Sequence, residues 1–265
     1  MQFIFLSHDV DWRKQGAPIE HVMARGNRFD KDVLENASVK NPYYNIPEMM
    51  ALEERLGLRS TFFFRTLYEN GNLYDYEDDI KSLIAGGWEI GLHTDSDSIT
   101  DLDKIKQEKK KLESLAGHSI NGNRVHDLHC DHRLFNNLQK LGFTYDSTVK
   151  KFKDKISSDD MNFYFTSGGL IEFPLTTMDA YLFTYMKINE SQILNTFSYI
   201  LDQGRRVNSE FNVISVLWHD CSLKMVGGRC YSKVLEYLAS QEDVEIVKGA
   251  DLALQIKNKR RWLIV

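Results

Sequence analysis

Near its start the chain reads Gln2-Phe3-Ile4-Phe5-Leu6-Ser7-His8-Asp9-Val10-Asp11-Trp12, an apolar run that passes directly into two carboxylates. The apolar part predicts a buried strand. Residues i and i+2 of a strand point to the same side, so Asp9 and Asp11 share one patch at its carboxyl end. Two like charges this close repel each other unless a cation sits between them. A solvated junction between strand and loop is the competing interpretation, because aspartate is common in turns.

Predicted strands and helices alternate along the rest of the chain. The predicted strands after the first cover residues 60–64, 88–92, 120–125, 142–146, 170–174, 212–218 and 244–247. The predicted helices cover residues 46–56, 75–85, 101–115, 131–141, 190–203, 230–240 and 249–257. Such alternation is typical of parallel strands with helices packed outside them. We therefore predict one domain over residues 1–265, an α/β fold built as a distorted (β/α) barrel of about seven parallel strands.

Composition narrows the class of protein. Hydrophobic residues make up 42% of the chain, which is ordinary for a globular enzyme, and the net charge of −5 argues against a nucleic-acid partner. No stretch approaches the roughly 18 consecutive apolar residues of a membrane span. The three cysteines suit free thiols in a reducing compartment, and no leader signal precedes the first strand. We therefore expect a cytoplasmic location.

Polar side chains follow five of the predicted strands, at the carboxyl ends where parallel α/β folds collect their chemistry. They are Asp9 and Asp11, His93 with Asp95 and Asp97, Arg124 with His126, Asp146, and His219 with Asp220. Asp11 and His93 are the best candidate metal ligands, since carboxylate oxygen and imidazole nitrogen suit Zn²⁺ and other divalent first-row metals. Asp97, four residues after His93, completes a facial triad if this segment turns as a helical loop.

These residues resemble, in order, the motifs of the polysaccharide deacetylase (NodB-homology) family of metal-dependent carbohydrate esterases. His8-Asp9-Val10-Asp11 is similar to the first motif, an aspartate pair, opened by one residue. His93-Thr94-Asp95-Ser96-Asp97 is similar to the second, His-Ser/Thr-x-x-His, with Asp97 in place of the second histidine. Arg124-Val125-His126 keeps the arginine of the third, Arg-x-Pro, and lacks its proline. Asp146 and Leu217-Trp218-His219 stand in the places of the fourth and fifth motifs.

The resemblance implies a hydrolase that removes acetyl groups from N-acetylated or O-acetylated sugars, such as a polysaccharide or a glycan precursor. Its cofactor would be a divalent metal, Zn²⁺ first, with Co²⁺ or Ni²⁺ as alternatives. The implied roles make Asp9 the general base, kept ionised by Arg124. His219 becomes the general acid, with Asp146 orienting its imidazole.

The third metal ligand has two candidates. Asp97 is favoured because its spacing from His93 needs only a local turn. His126 is the alternative, because it lies two residues after Arg124 on a strand and therefore on the same side.

Two other functions remain open. One is hydrolysis of a non-sugar C–N bond, as in ureide-type hydrolases that resemble this family. The other is a catalytically inactive carbohydrate-binding relic, which the altered second and third motifs suggest. Trp12, Tyr145 and Trp218 are candidates either for stacking on a sugar ring or for core packing.

Overall fold

The secondary structure follows the predicted alternation of strands and helices. A computed structural model describes residues 1–207 and 211–262. Its strands are β1 (Gln2–Val10), β2 (Thr61–Phe64), β3 (Leu67–Tyr68), β4 (Gly71–Asn72), β5 (Glu89–Thr94), β6 (Gly122–Val125), β7 (Tyr145–Asp146), β8 (Tyr164–Phe165), β9 (Ile171–Glu172), β10 (Leu175–Met178), β11 (Asn212–Leu217) and β12 (Val244–Val247). Its helices are α1 (Ile19–Ala24), α2 (Lys31–Glu35), α3 (Ile46–Arg55), α4 (Glu77–Ala85), α5 (Leu102–Ala116), α6 (Leu134–Lys140), α7 (Ile193–Arg206), α8 (Tyr231–Ala239) and α9 (Gly249–Trp262).

The main sheet has 10 strands in the order β10-β11-β1-β2-β5-β6-β7-β9-β8, and β12 also pairs with β1. All of these pairs are parallel except β8 with β9. Strand β10 lies at one end of this strand order and β9 lies near the other end. Only Phe173 and Pro174 separate the two strands along the chain. This short link brings the two sides of the sheet together. The predicted distorted (β/α) barrel is confirmed.

The inward face of β1 changes from apolar to polar along the strand. Phe3 and Phe5 belong to an aromatic plug inside the barrel, and the Phe5 ring meets the Tyr145 ring edge-on at 5.7 Å. The other aromatic rings of the plug are Phe63, Phe173 and Phe211. Because strand side chains alternate, Ser7 and Asp9 continue the same face beyond the plug. Polar groups therefore gather at the carboxyl end of the strands.

The outward face of β1 packs against the helices. Ile4 and Leu6 join the larger apolar core between sheet and helices. His8 also points this way: its Nε2 lies 2.8 Å from Glu53 Oε1 of α3, and its Nδ1 lies 2.6 Å from the backbone oxygen of Trp218. His8 is fully buried. The histidine of the first motif therefore serves the packing of β1 and lies on the face opposite Asp9.

Several short elements were not predicted from the sequence, among them the two-residue strands β3, β4 and β8. Residues 13–45 contain the short helices α1 and α2, although their pattern is only weakly periodic. Strand β10 was not predicted, because Thr176 and Thr177 break its apolar pattern.

No helix among the described residues is long and apolar enough to cross a membrane. The assignment of residues 1–265 to one domain stays a prediction.

Candidate metal centre and active site

The carboxyl end of β1 brings Asp9 into contact with a buried arginine. Asp9 is 2% exposed, and Arg124 of β6 is fully buried. Arg124 Nη1 donates to Asp9 Oδ1 and to Ser7 Oγ, each at 2.9 Å. Its Nε and Nη2 donate to the backbone oxygen and the hydroxyl of Ser147. All three nitrogens of the guanidinium group are thus bonded, and one of them forms a buried ion pair with Asp9.

We expect Arg124→Met to lower the free energy of unfolding by about 3–5 kcal/mol, because it leaves the Asp9 carboxylate buried without its partner. Urea denaturation followed by circular dichroism measures the change. The exposed Arg133 pairs with Asp131 two residues away and provides the control. Arg133→Met is expected to leave the denaturation midpoint unchanged. Equal losses in both variants would contradict a specific role for the buried pair.

His93 of β5 is held in a single orientation. Its Nδ1 lies 3.0 Å from the backbone oxygen of Arg124. A carbonyl oxygen can only accept, so Nδ1 carries the ring proton and Nε2 presents a lone pair. Nε2 lies 3.2 Å from Asp11 Oδ1 and 3.6 Å from Asp9 Oδ2. A hydrogen bond from the second ring nitrogen is the usual way in which a metal-binding histidine is oriented.

His126 completes a ligand group with Asp11 and His93. His126 Nδ1 lies 3.3 Å from His93 Nε2 and 3.4 Å from Asp11 Oδ1, and the three ligand atoms all lie within 4.8 Å of one another. Asp11 Oδ1 is buried, yet no donor bonds it with hydrogen-bond geometry. Burial alone would raise the pKa of Asp11, but the three histidines His126, His93 and His219 lower it well below its usual value. Two imidazole nitrogens and one carboxylate oxygen fit a divalent first-row metal.

The structure does not bring Asp97 into this ligand group. Asp97 lies exposed in the 3-10 turn Ser96–Ser98 that follows β5. The residue whose ligand atom lies close to those of Asp11 and His93 is His126, the alternative candidate. The reason is the register of the sheet: His93 lies opposite Arg124 on neighbouring parallel strands, so a residue just after β6 reaches the same place. The turn after β5 leaves Asp97 outside the group of converging ligand atoms, so the prediction of Asp97 as the third ligand lacks the geometry that His126 has.

His219 follows β11 and is held by an aspartate that the sequence analysis did not identify. His219 Nδ1 lies 2.6 Å from Asp179 Oδ1, and the His219 backbone N–H donates to Asp179 Oδ2. His219 Nε2 faces the ligand group, 3.6 Å from Asp11 Oδ2. Burial alone would lower the pKa of His219, but Asp179 first, with Asp11 and Asp9, raises it to about 10. The imidazole is therefore a cation, the form that can give up a proton.

Asp179 is 1% exposed and directly follows β10. The signal that could have revealed it is the one used at the other strand ends, an acidic residue after an extended segment. The segment Leu175-Thr176-Thr177-Met178 is short and polar, and for that reason it does not look like a buried strand.

Asp146 does not have the predicted contact with His219: no hydrogen bond or ion pair joins them within the described ranges. Asp146 instead accepts a hydrogen bond from Asn123 Nδ2 at 2.7 Å and lies opposite Glu172 in the β7–β9 pair. Burial raises the pKa of both carboxyls, and Asp146 raises that of Glu172 further. The chain returns through β10 and places Asp179, not Asp146, beside His219, so the orienting role predicted for Asp146 lacks a contact.

A buried glutamate on α5 supports the turn after His93. Glu108 accepts hydrogen bonds from the Asp95 backbone N–H at 3.3 Å and from the Ser98 hydroxyl. Burial raises the pKa of Glu108 from 4.5 to about 7. The folded protein therefore keeps a proton that the unfolded chain releases above about pH 4.5. By linkage, this carboxyl lowers stability as the pH rises from about 4.5 to about 7.

We expect the stability of Glu108→Gln relative to the natural chain to increase by about 1–3 kcal/mol when the pH is raised from 4.5 to 8, because glutamine cannot ionise. Urea denaturation of both proteins at the two pH values gives this difference. The exposed Glu242 provides the control, and Glu242→Gln is expected to show no pH-dependent difference. A constant difference between Glu108→Gln and the natural chain at both pH values would contradict the raised pKa.

The ligand group lies in a cavity of about 1130 Å³ at the carboxyl end of the barrel. Residues that follow β1, β10 and β11 form its walls. Trp12 lines the cavity, which keeps it available for stacking on a sugar ring. Tyr145 and Trp218 are fully buried in the apolar cores, so the core-packing alternative is correct for these two residues.

Comparison with known proteins supports this fold. No protein-family model matches the chain, and no curated protein matches it. A candidate polysaccharide deacetylase from Mycobacterium smegmatis is similar, with a TM-score of 0.68 and 18% identity over 97% of this chain and 91% of that one. A structure described as Puue allantoinase has a TM-score of 0.65 and 15% identity, covering 95% and 88% of the two chains. A candidate polysaccharide deacetylase from Pseudomonas aeruginosa PAO1 has a TM-score of 0.61 and 16% identity, also covering 95% and 88%. The chain therefore has the fold of the polysaccharide deacetylases that its motif order resembles.

Proposed function

We propose that this protein is a metal-dependent hydrolase that removes acetyl groups from N-acetylated or O-acetylated sugars, such as a polysaccharide or a glycan precursor. The observation that carries the proposal is the convergence of Asp11, His93 and His126 at one end of the barrel. A candidate base, Asp9, and a candidate acid, His219, both lie beside this group. The solved structures with this fold include candidate polysaccharide deacetylases, which supports the substrate class.

Asp11 Oδ1, His93 Nε2 and His126 Nδ1 would hold the metal, most plausibly Zn²⁺, with Co²⁺ or Ni²⁺ as alternatives. Such an ion, when bound, lowers the pKa of a coordinated water and polarises a carbonyl oxygen. Two nitrogens and one oxygen from protein leave coordination positions for water and substrate, as in other catalytic zinc sites.

Asp9 is placed to act as the general base. Arg124 occupies its Oδ1, while Oδ2 faces the ligand group and lies 3.6 Å from His93 Nε2. The carboxylate accepts the proton of the attacking water as the new C–O bond forms. Arg124 is a positioning residue here, since it occupies Oδ1 and fixes which oxygen of Asp9 is available.

His219 is placed to act as the general acid. Asp179 holds Nδ1, so the Nε2 proton points to the cavity that contains the ligand group. When the C–N or C–O bond of the acetyl group breaks, this proton passes to the departing nitrogen or oxygen. The products are then acetate and a free amine or hydroxyl.

The three cysteines are free thiols, which supports the proposed cytoplasmic location.

Acetate release is the decisive assay. The purified protein, loaded with Zn²⁺, Co²⁺ or Ni²⁺, is expected to release acetate from at least one member of a panel of N-acetylated and O-acetylated sugars. Chelation and Asp11→Asn should both abolish this release. Asp97→Asn makes the same chemical change at an exposed position outside the ligand group and should retain it.

Two results would overturn this proposal. The allantoinase with the same fold makes hydrolysis of a non-sugar C–N bond the second candidate. Turnover of ureides without acetate release would establish that candidate instead. If the protein binds stoichiometric metal but turns over no member of the panel, the result would favour the catalytically inactive carbohydrate-binding relic.

A further inference from the structure

Two arginines of the segment after β1 line the cavity without acidic partners. Arg25 precedes the single-turn 3-10 helix Gly26–Arg28, Arg28 is its last residue, and both contribute to the cavity wall. Within the described part of the chain, no carboxylate forms an ion pair with either guanidinium. Arg28 Nη2 donates to Thr184 Oγ1 at 3.4 Å, a neutral partner on the opposite wall. Both side chains are half-buried, so their positive charges are available to an anionic ligand in the cavity.

The backbone holds these arginines in place. The Val226 N–H donates to the Arg28 backbone oxygen at 2.7 Å, and Phe29 forms a β-bridge with Met225. The segment after β1 is thereby fixed to the segment after β11. The guanidinium groups therefore project from a fixed wall.

His21 and Trp12 lie between the arginines and the ligand group in the cavity lining, and their rings are in contact. The His21 ring lies 4.0 Å from the ring of Trp12, the residue directly after Asp11. Burial, followed by the positive charges of Arg25 and Arg28, lowers the pKa of His21. Both guanidinium groups thus lie within electrostatic range of a ring that touches Trp12. A molecule bound along this wall can reach the ligand group and the arginines together.

Most acidic groups of the cavity wall are already paired, so the arginine charges are not neutralised. Asp9 pairs with Arg124, and Asp179 pairs with His219. Glu190 is bonded by Arg229. Asp127 is 80% exposed and lies beside His126, near the ligand group. Lys153 and Lys187 add two more cations to the wall. This local positive charge contrasts with the net charge of −5 of the chain.

We propose that Arg25 and Arg28 bind a phosphate or diphosphate group of the substrate, so that the natural substrate is an acetylated sugar linked to phosphate. Guanidinium groups bind phosphate through paired N–H donors. The two positive charges of these arginines match the double negative charge of a phosphate. A single carboxylate would neutralise only one of the two positive charges. The identity of the acetylated sugar rests on the proposed function, but binding of phosphate to the arginines does not.

The size of the cavity agrees with such a substrate. Its volume of about 1130 Å³ exceeds the ~300–1,000 Å³ typical of small-molecule pockets. A single acetylated sugar would leave much of this space empty. A phosphate or diphosphate extension would fill the part that lies toward the arginines.

Calorimetric titration with inorganic pyrophosphate and with inorganic phosphate tests the proposal without any turnover. Arg25→Gln and the double variant Arg25→Gln/Arg28→Gln are expected to bind pyrophosphate about 10-fold more weakly, or weaker still, than the natural chain, since each loses a charge-assisted hydrogen bond. The double variant Lys31→Gln/Lys40→Gln is the matched control. It removes two positive charges from the same segment at exposed positions outside the cavity wall and should bind normally.

A further variant separates the arginines from the metal. Asp11→Asn should keep its affinity for pyrophosphate, because the anion is bound at the other end of the cavity. Loss of binding in Asp11→Asn with normal binding in Arg25→Gln would place the anion on the metal and overturn the proposal. If Lys31→Gln/Lys40→Gln weakened pyrophosphate binding equally, the effect would come from net charge alone, and this result would also overturn the proposal. Tighter binding of glucuronate than of phosphate would overturn the assignment to phosphate.

Discussion

Replacement of His126 by alanine is expected to weaken the binding of Zn²⁺ by about 100-fold or more. His126 contributes one of three converging ligand atoms, and even residues that only orient a ligand typically contribute about 10–100-fold to metal affinity. Asp97→Ala should leave the affinity within about twofold of the natural chain, because Asp97 is exposed outside the ligand group. The two variants therefore report directly on which residue is the third ligand.

Competition against a chromophoric chelator measures the affinity of each variant. The titrations need one common pH, because protons compete with the metal for ligand atoms. His118 is an exposed histidine away from the cavity, and His118→Ala controls for the loss of an imidazole elsewhere. If Asp97→Ala bound zinc poorly and His126→Ala bound it normally, the sequence-based choice of Asp97 would be right and the geometric one wrong.

Asp179→Asn is expected to lower kcat by about 10²–10⁴-fold while the metal content stays unchanged. General acid catalysis typically contributes this much. The carboxylate of Asp179 holds His219 Nδ1 at 2.6 Å and keeps the imidazole cationic. An asparagine amide cannot stabilise that cation and can hold the wrong tautomer, as happens when the aspartate of a catalytic triad is replaced.

Asp146→Asn is the matched control for Asp179→Asn, since it makes the same change at the position that the sequence analysis assigned to this role. It is expected to keep kcat within a few-fold, because Asp146 pairs with Glu172 instead of His219. Steady-state kinetics with metal analysis of both variants provides the comparison. A large loss of kcat in Asp146→Asn with little change in Asp179→Asn would restore the original assignment.

Most of the fold could be predicted from local patterns. The long apolar strands and the amphipathic helices appear where periodicity placed them, because burial of one face imposes that periodicity. Strand β1 is the strongest case, since all nine of its residues are buried. Strand β10 escaped prediction because its burial is imposed by its neighbour β11 and by the closing of the barrel.

The residues that the sequence singled out on or just after strongly patterned strands meet at one end of the barrel in the structure. Asp9 and Asp11 follow the alternation of β1, and Arg124 lies where it meets Asp9. His93 and His219 also reach the same end of the barrel. For these five residues the rule that parallel strands collect their chemistry at the carboxyl ends was sufficient.

The sequence by itself determined the barrel, the end at which the polar residues gather and the chemical types that gather there, because strand alternation and hydrophobic burial are local properties. Only the tertiary structure decided which of these residues are partners. His126 rather than Asp97 joins His93 through the register of β5 and β6, and Asp179 rather than Asp146 holds His219 because β10 runs beside β11. Spacing along the chain does not encode these choices, since contacts between strands depend on sheet order and on register. That order is set by the packing of the whole barrel.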